Sequence, residues 1–136
     1  MRQIQSTATY DRRLKQFAKK YPRELAAMLD NLDTYVSSLQ AGGKPHQIRH
    51  GFMHGETHGA IAIDQKGASG KPKQTRLYLY ADADTQLLYL ITIGDKQSQR
   101  EDNAACRELI VELRNEKQES QDLRERPGDD AEPIGE

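Results

Sequence analysis

Arg76, Tyr78 and Tyr80 recur with a period of two in the segment Thr75 to Ala81 (TRLYLYA). In an extended strand they share one face, and Leu77 and Leu79 share the other. A guanidinium that forks onto phosphate oxygens, beside two phenols able to stack on bases, suits contact with a nucleic-acid strand. The same pattern also describes an ordinary solvated sheet face, since Tyr is a good strand former. The preceding segment, Gln65 to Gln74 (QKGASGKPKQ), carries Lys66, Lys71 and Lys73 among glycines. It reads as a mobile basic flap, which either holds a phosphate backbone or keeps a hairpin tip soluble. Neither GxxxxGKS nor GxxxxGKT is present, which argues against nucleotide hydrolysis.

His46, His50, His54 and His58 recur every four residues. On a helix they would line one face as metal ligands, but Gly51, Gly55 and Gly59 each follow a histidine and weaken such a helix, so no metal is expected. A second chemical reading brings His54 and His58, with Glu56, to the basic strand face as proton donors or acceptors; the plainer one leaves them as polar loop residues. Lys96 lies in the polar turn Gly94 to Arg100, at a strand end where a sheet displays working residues, while Asp95 is placed to pair with it or cap the next helix. Cys106, preceded by two alanines on an amphipathic stretch, suits core packing better than nucleophilic attack.

The elements that must position these groups follow from periodicity. Arg2 to Thr7 alternates and is short, as in an edge strand. From Thr9 as N-cap, Tyr10, Leu14, Phe17, Ala18 and Tyr21 fall at helical spacing up to Pro22. Pro22 opens a second helix, whose stripe Leu25, Met28, Leu29, Leu32, Val36 and Leu39 runs out at Ala41-Gly42-Gly43. The two make a helical hairpin. Lys44 to Gly59 is an irregular connection with one short element near Ile48. Strands follow at Gly59 to Asp64, Thr75 to Ala81 and Leu87 to Ile93, the last two joined by the loop Asp82 to Gln86. A helix from about Arg100 to Glu116 offers Ala105, Leu109, Ile110 and Leu113. The predicted class is α+β: an N-terminal helical hairpin packed on one face of a small twisted antiparallel sheet, with a C-terminal helix.

With 136 residues the chain is sized for one domain. A mean hydropathy of -0.90 is polar for a globular protein. Residues 1–114 carry 17 Lys and Arg against 13 Asp and Glu, whereas residues 115–136 carry 3 against 8. A domain over 1–114 and an acidic, disordered tail over 115–136 are therefore expected. The single Cys106 makes no internal disulfide, and neither a leader-like apolar segment nor a run of about 18 apolar residues is present. A soluble, cytoplasmic protein with no membrane partner is the expectation.

The order of a short strand, the basic helix YDRRLKQFAKKYP, a second helix closing in Gly-Gly, the strands of TRLYLYADADTQLLYLITIGDK and a terminal helix resembles the RelE/ParE superfamily of bacterial toxins from type II toxin–antitoxin systems, including the HigB-like branch. The resemblance covers about residues 2–114. It implies a RelE-like mRNA endonuclease, free or on the ribosome, that needs no cofactor and is neutralised by a cognate antitoxin. Such enzymes turn the 2′-OH on its neighbouring phosphate, which demands a base, an acid and cationic stabilisation of the pentacovalent transition state. The resemblance implies Arg76 as that cation and Lys96 as a phosphate or proton-transfer group. It implies Tyr78 and Tyr80 as base contacts, and Lys66, Lys71 and Lys73 as backbone contacts. Many active members carry a His or Tyr near the C-terminus, which this chain lacks, and His54 and His58 are the nearest substitutes. The alternative is a non-catalytic RelE/ParE-fold protein, either an inhibitor of a gyrase-type enzyme or an interaction and repression module.

Overall fold

Thr7, two residues earlier than periodicity indicates, starts the first helix. Its hydroxyl accepts the Tyr10 amide at 3.0 Å and donates to the Ile91 carbonyl at 2.6 Å, so one side chain caps the helix and ties it to the sheet. In this computed structural model, which describes residues 3–125, α1 then runs Ala8–Lys20 and α2 runs Pro22–Gln40. Pro22 sits in the first turn of α2, where its missing N–H costs nothing. The strands are β1 (Gln3–Ser6), β2 (Met53–Gly55), β3 (Ile61–Asp64), β4 (Thr75–Asp82) and β5 (Leu87–Asp95); a 3₁₀ turn at Thr57–Gly59 separates β2 from β3, and α3 spans Gln99–Glu125. The fold is α+β.

One sheet contains all five strands in the order β1-β5-β4-β3-β2. It is mixed rather than antiparallel, because β1 runs parallel to β5, with Ile4 opposite Leu88. A parallel pair needs a long crossover, and here all the chain between the two strands supplies it. β2 to β5 form an antiparallel meander.

Both faces of the sheet are covered, and this changes the site. On one side Phe17, Leu25, Met28, Leu32, Tyr35 and Leu39 of the helical hairpin pack on Ile61, Ile63, Leu77, Leu79, Leu88 and Ile93. On the other side Cys106 and Ile110 of α3 pack on Ala60, Ala62, Tyr78 and Ile91. The apolar run of β5 serves both cores through a bulge. Tyr78 lies opposite Thr92 but Leu79 lies opposite Leu90, so Ile91 is the extra residue. Ile91 joins the α3 side, and Ile93 returns to the hairpin side.

α3 continues to Glu125, beyond the end expected near Glu116. A tertiary ion pair explains part of the extension: the Lys117 ammonium meets Asp82 at 2.7 Å and Asp84 at 3.0 Å, joining the helix to the β4–β5 turn. The remainder of the expected acidic tail, from residue 126, lies outside the described residues. Among the described residues, no helix is long and apolar enough to cross a membrane.

Candidate functional site

The register of the meander decides which polar residues meet. Asp64 of β3 lies opposite Arg76 of β4, which in turn lies opposite Gly94 of β5. His54 of β2 lies opposite Ala62, two residues before Asp64 and therefore on the same face. α3 covers the middle of that face and leaves this corner open. His54 Nε2 and Asp64 Oδ2 are 2.7 Å apart, with the side chains 36% and 21% exposed. The second oxygen of Asp64 accepts the Lys66 amide at 2.8 Å, which holds the carboxylate in place. Beside them Arg76 Nη1 forms an ion pair with Glu56 Oε2; Glu56 is nearly buried and Arg76 about a third exposed. An open cavity of about 400 Å³ runs along the β2 edge here, lined by His46, Arg49, Met53, His54, Glu56 and Ile61 among others.

This corner contains a histidine oriented by a carboxylate, a guanidinium, and a second carboxylate. Asp64 fixes the orientation of the imidazole, as an acid or base requires. The guanidinium offers a planar fork of donors to a phosphate, and Glu56 engages one end of it. Asp64 is the member that sequence reasoning missed. Its signal was its place at the end of GAIAID, two residues after Ala62 and so on the same face of the strand; its contact with a histidine ten residues earlier depends on β2–β3 register.

The comparisons add no family to this geometry. Neither protein-family models, curated proteins nor solved structures give a match to this chain.

Other expected site residues go elsewhere. Tyr78 is fully buried under α3, and its hydroxyl has no hydrogen-bond partner among the described residues, so it is not an exposed base platform. Burial drives its phenol pKa well upward, with the charges of Asp102 and Glu56 adding to the shift. Tyr80 is half-buried and packs against the same α3 core. The cause is common to both: α3 needs an apolar surface, and the tyrosine rings supply it. His58 takes a left-handed backbone (φ 57°) in the 3₁₀ turn, where its Nδ1 is 2.6 Å from Thr57 Oγ1 and its carbonyl accepts from Arg114 at 2.9 Å. It belongs to the α3 contact rather than to the His54 pair. His50 bonds Ser38 Oγ at 3.1 Å and stacks on Phe52, so the four histidines do not act as a set. Among the described residues, no three His, Cys, Asp or Glu side chains converge as metal ligands.

The flap is anchored rather than free. Arg23 donates to the Ser69 carbonyl at 3.0 Å, Asn31 to the carbonyls of Asp64 and Lys66 at 3.0 Å each, and the Lys73 amide to buried Glu24 at 2.8 Å. Its polar backbone thus finds partners on α2. Lys66 folds over Gly51, Lys71 is exposed, and Lys73 joins Lys96 in a different cleft, away from the Arg76 corner. Cys106 is buried, and burial pushes its thiol up to about 12, as befits a packing residue.

Proposed function

We propose that the chain is a RelE-like toxin of a toxin–antitoxin system, an mRNA endonuclease that cuts by metal-independent transesterification. The observation that carries this reading is the His54–Asp64 hydrogen bond of 2.7 Å on the sheet face that also presents Arg76. Asp64 engages Nε2, which leaves Nδ1 of His54 to take the proton of a 2′-OH. The oxygen then attacks the adjacent phosphorus, and Arg76 stabilises the charge gathering on the phosphoryl oxygens as the 5′-oxygen departs. Glu56 holds the guanidinium ready, and the leaving 5′-oxygen takes its proton from solvent. Antitoxin binding over this corner would block it.

The test is induced expression of wild type, His54→Ala and Arg76→Ala with mapping of mRNA 5′ ends. Wild type is expected to arrest growth and create new ends, and each variant to cut about 100-fold less or worse. Equal cutting by all three would place the active site elsewhere. Arrest by wild type without new ends would point to the second reading, a non-catalytic RelE/ParE-fold binding protein that inhibits a gyrase-type enzyme or serves interaction and repression. The Arg76–Glu56 ion pair favours that alternative, since it partly neutralises the cation.

A further inference from the structure

A cleft of about 780 Å³ lies outside the His54–Arg76 corner, between the α1–α2 junction, residues 72–74 and the β5–α3 turn. Three chain segments each contribute an exposed lysine to it: Lys20, Lys73 and Lys96. None of the ion pairs among the described residues involves any of the three. The nearby acids are already committed. Asp95 accepts the amides of Gln97 and Ser98 at 3.0 and 3.1 Å, and Glu24, 4% exposed, accepts the Lys73 amide. Asp95 also lines the cleft and keeps its negative charge, so three ammonium groups against one carboxylate leave the concavity net positive, a potential that an anion relieves.

The walls suit one class of anion. Tyr21 lines the cleft half-buried, its ring braced by Phe17 at 5.3 Å and by the Lys20 ammonium at 5.3 Å. A braced aromatic ring is a stacking surface of low entropic cost. Gln74 and Gln97 add side-chain amides that donate and accept, which carboxylates of an acidic peptide do not need but base edges use. The volume matches sites that hold a drug-sized molecule, more than one phosphate occupies. The backbone that carries the lysines is preset by the Glu24–Lys73 and Asp95–Ser98 bonds, so binding does not have to order it.

We propose that this cleft binds the backbone of single-stranded RNA, with phosphates on Lys20, Lys73 and Lys96 and a base against Tyr21. β4–β5 register pairs Thr75 with Asp95 and Arg76 with Gly94, so the cleft and the His54–Arg76 corner flank the same end of the sheet. The choice of RNA rests on the reading proposed above, whereas the net positive cleft itself stands whether or not the chain cuts RNA.

Fluorescence anisotropy of a labelled oligouridylate with the full chain, titrated with salt, tests it. Each phosphate contact on a single strand contributes about 0.7 to the slope of log K against log salt, so Lys20→Gln/Lys73→Gln/Lys96→Gln is expected to flatten the slope by about 2, roughly a 20-fold change in the affinity ratio between about 50 and 200 mM salt. The control Arg12→Gln/Lys44→Gln/Arg107→Gln removes the same charge from exposed positions outside the cleft and should keep the wild-type slope. Circular dichroism melting checks that both variants fold. An unchanged slope in the cleft variant, an equal loss in the control, or displacement of the RNA by polyglutamate as readily as by unlabelled oligouridylate would overturn the proposal, the last in favour of an acidic protein partner. Retained binding by His54→Ala with no cutting by any form would sink the nuclease reading and leave the cleft standing. Cutting by wild type with an unchanged slope in the cleft variant would do the reverse.

Discussion

Gly94 is the position where one added methyl group should do most damage. It lies in β5 opposite Arg76, and the first turn of α3 rests directly on it. A Cβ there would stand 2.8 Å from Cγ of Asp102, and nearer still to Asp102 Oδ2 and Ser98 Oγ. Asp102 cannot swing into solvent, because it is 1% exposed and held by Ser98 Oγ at 2.7 Å, Arg13 Nη1 at 3.4 Å and Thr92 Oγ1 at 3.5 Å. Burial keeps its pKa above the usual carboxyl value even though Ser98 and Arg13 pull it down, so the carboxylate has no solvation to spare. Gly94→Ala must overpack the contact, at about 1–3 kcal/mol, and strip partners from a buried carboxylate, at about 1–3 kcal/mol more. A total of about 2–6 kcal/mol follows, or a fall in Tm of roughly 8–24 °C for a domain of this size. Urea unfolding followed by far-UV circular dichroism measures it. Gly55→Ala is the control, since a Cβ there meets nothing within 4 Å. In an Asp102→Ala background the penalty of Gly94→Ala should shrink by at least about 1 kcal/mol, because the obstructing carboxylate is gone. If Gly94→Ala stays within about 1 kcal/mol of wild type, α3 does not seat on β5 as described.

The buried, unpartnered Tyr78 hydroxyl makes Tyr78→Phe a stabilising change of about 1 kcal/mol that leaves RNA binding unaltered; a loss of stability of that size, or weakened RNA binding, would contradict its placement under α3. Lys117→Met should cost about 2 kcal/mol at neutral pH, less than a fully buried pair because the lysine is 35% exposed. Burial raises the Asp82 pKa, but the hydrogen bond and charge of Lys117, helped by bonds from the Asp84 amide and Thr85, outweigh it and leave the carboxyl below its usual value. The stability from this pair is therefore present above the ordinary pKa of about 3.9 and is lost as pH falls through the lower folded value, so wild type and variant should converge in acid. A gap that does not change with pH would refute the linkage. Cys106, with its thiol pushed up to about 12, should react with a thiol reagent at pH 8 only as the protein unfolds. Prompt labelling of the folded chain would count against its burial.

Local pattern determined most of the elements, but not β2, which lies in the segment read as an irregular connection. Spacing of apolar residues marked the helical hairpin, Pro22 marked its corner, and the alternation of TRLYLYA put Leu77 and Leu79 on the hairpin face and Arg76 and Tyr78 on the other. These are properties of neighbouring residues, and the 3.6 and 2.0 periods carry them. Pattern does not say what covers a face. An alternating strand looks the same whether its polar side meets water or a helix, and only the docking of α3 decided that Tyr78 is buried while Arg76 beside it stays partly open. Strand register, which brings His54 to Asp64, and the convergence of Lys20, Lys73 and Lys96 from segments far apart in the chain are likewise long-range. Each depends on how whole elements pack, because the energy that selects them comes from burying two sheet faces at once.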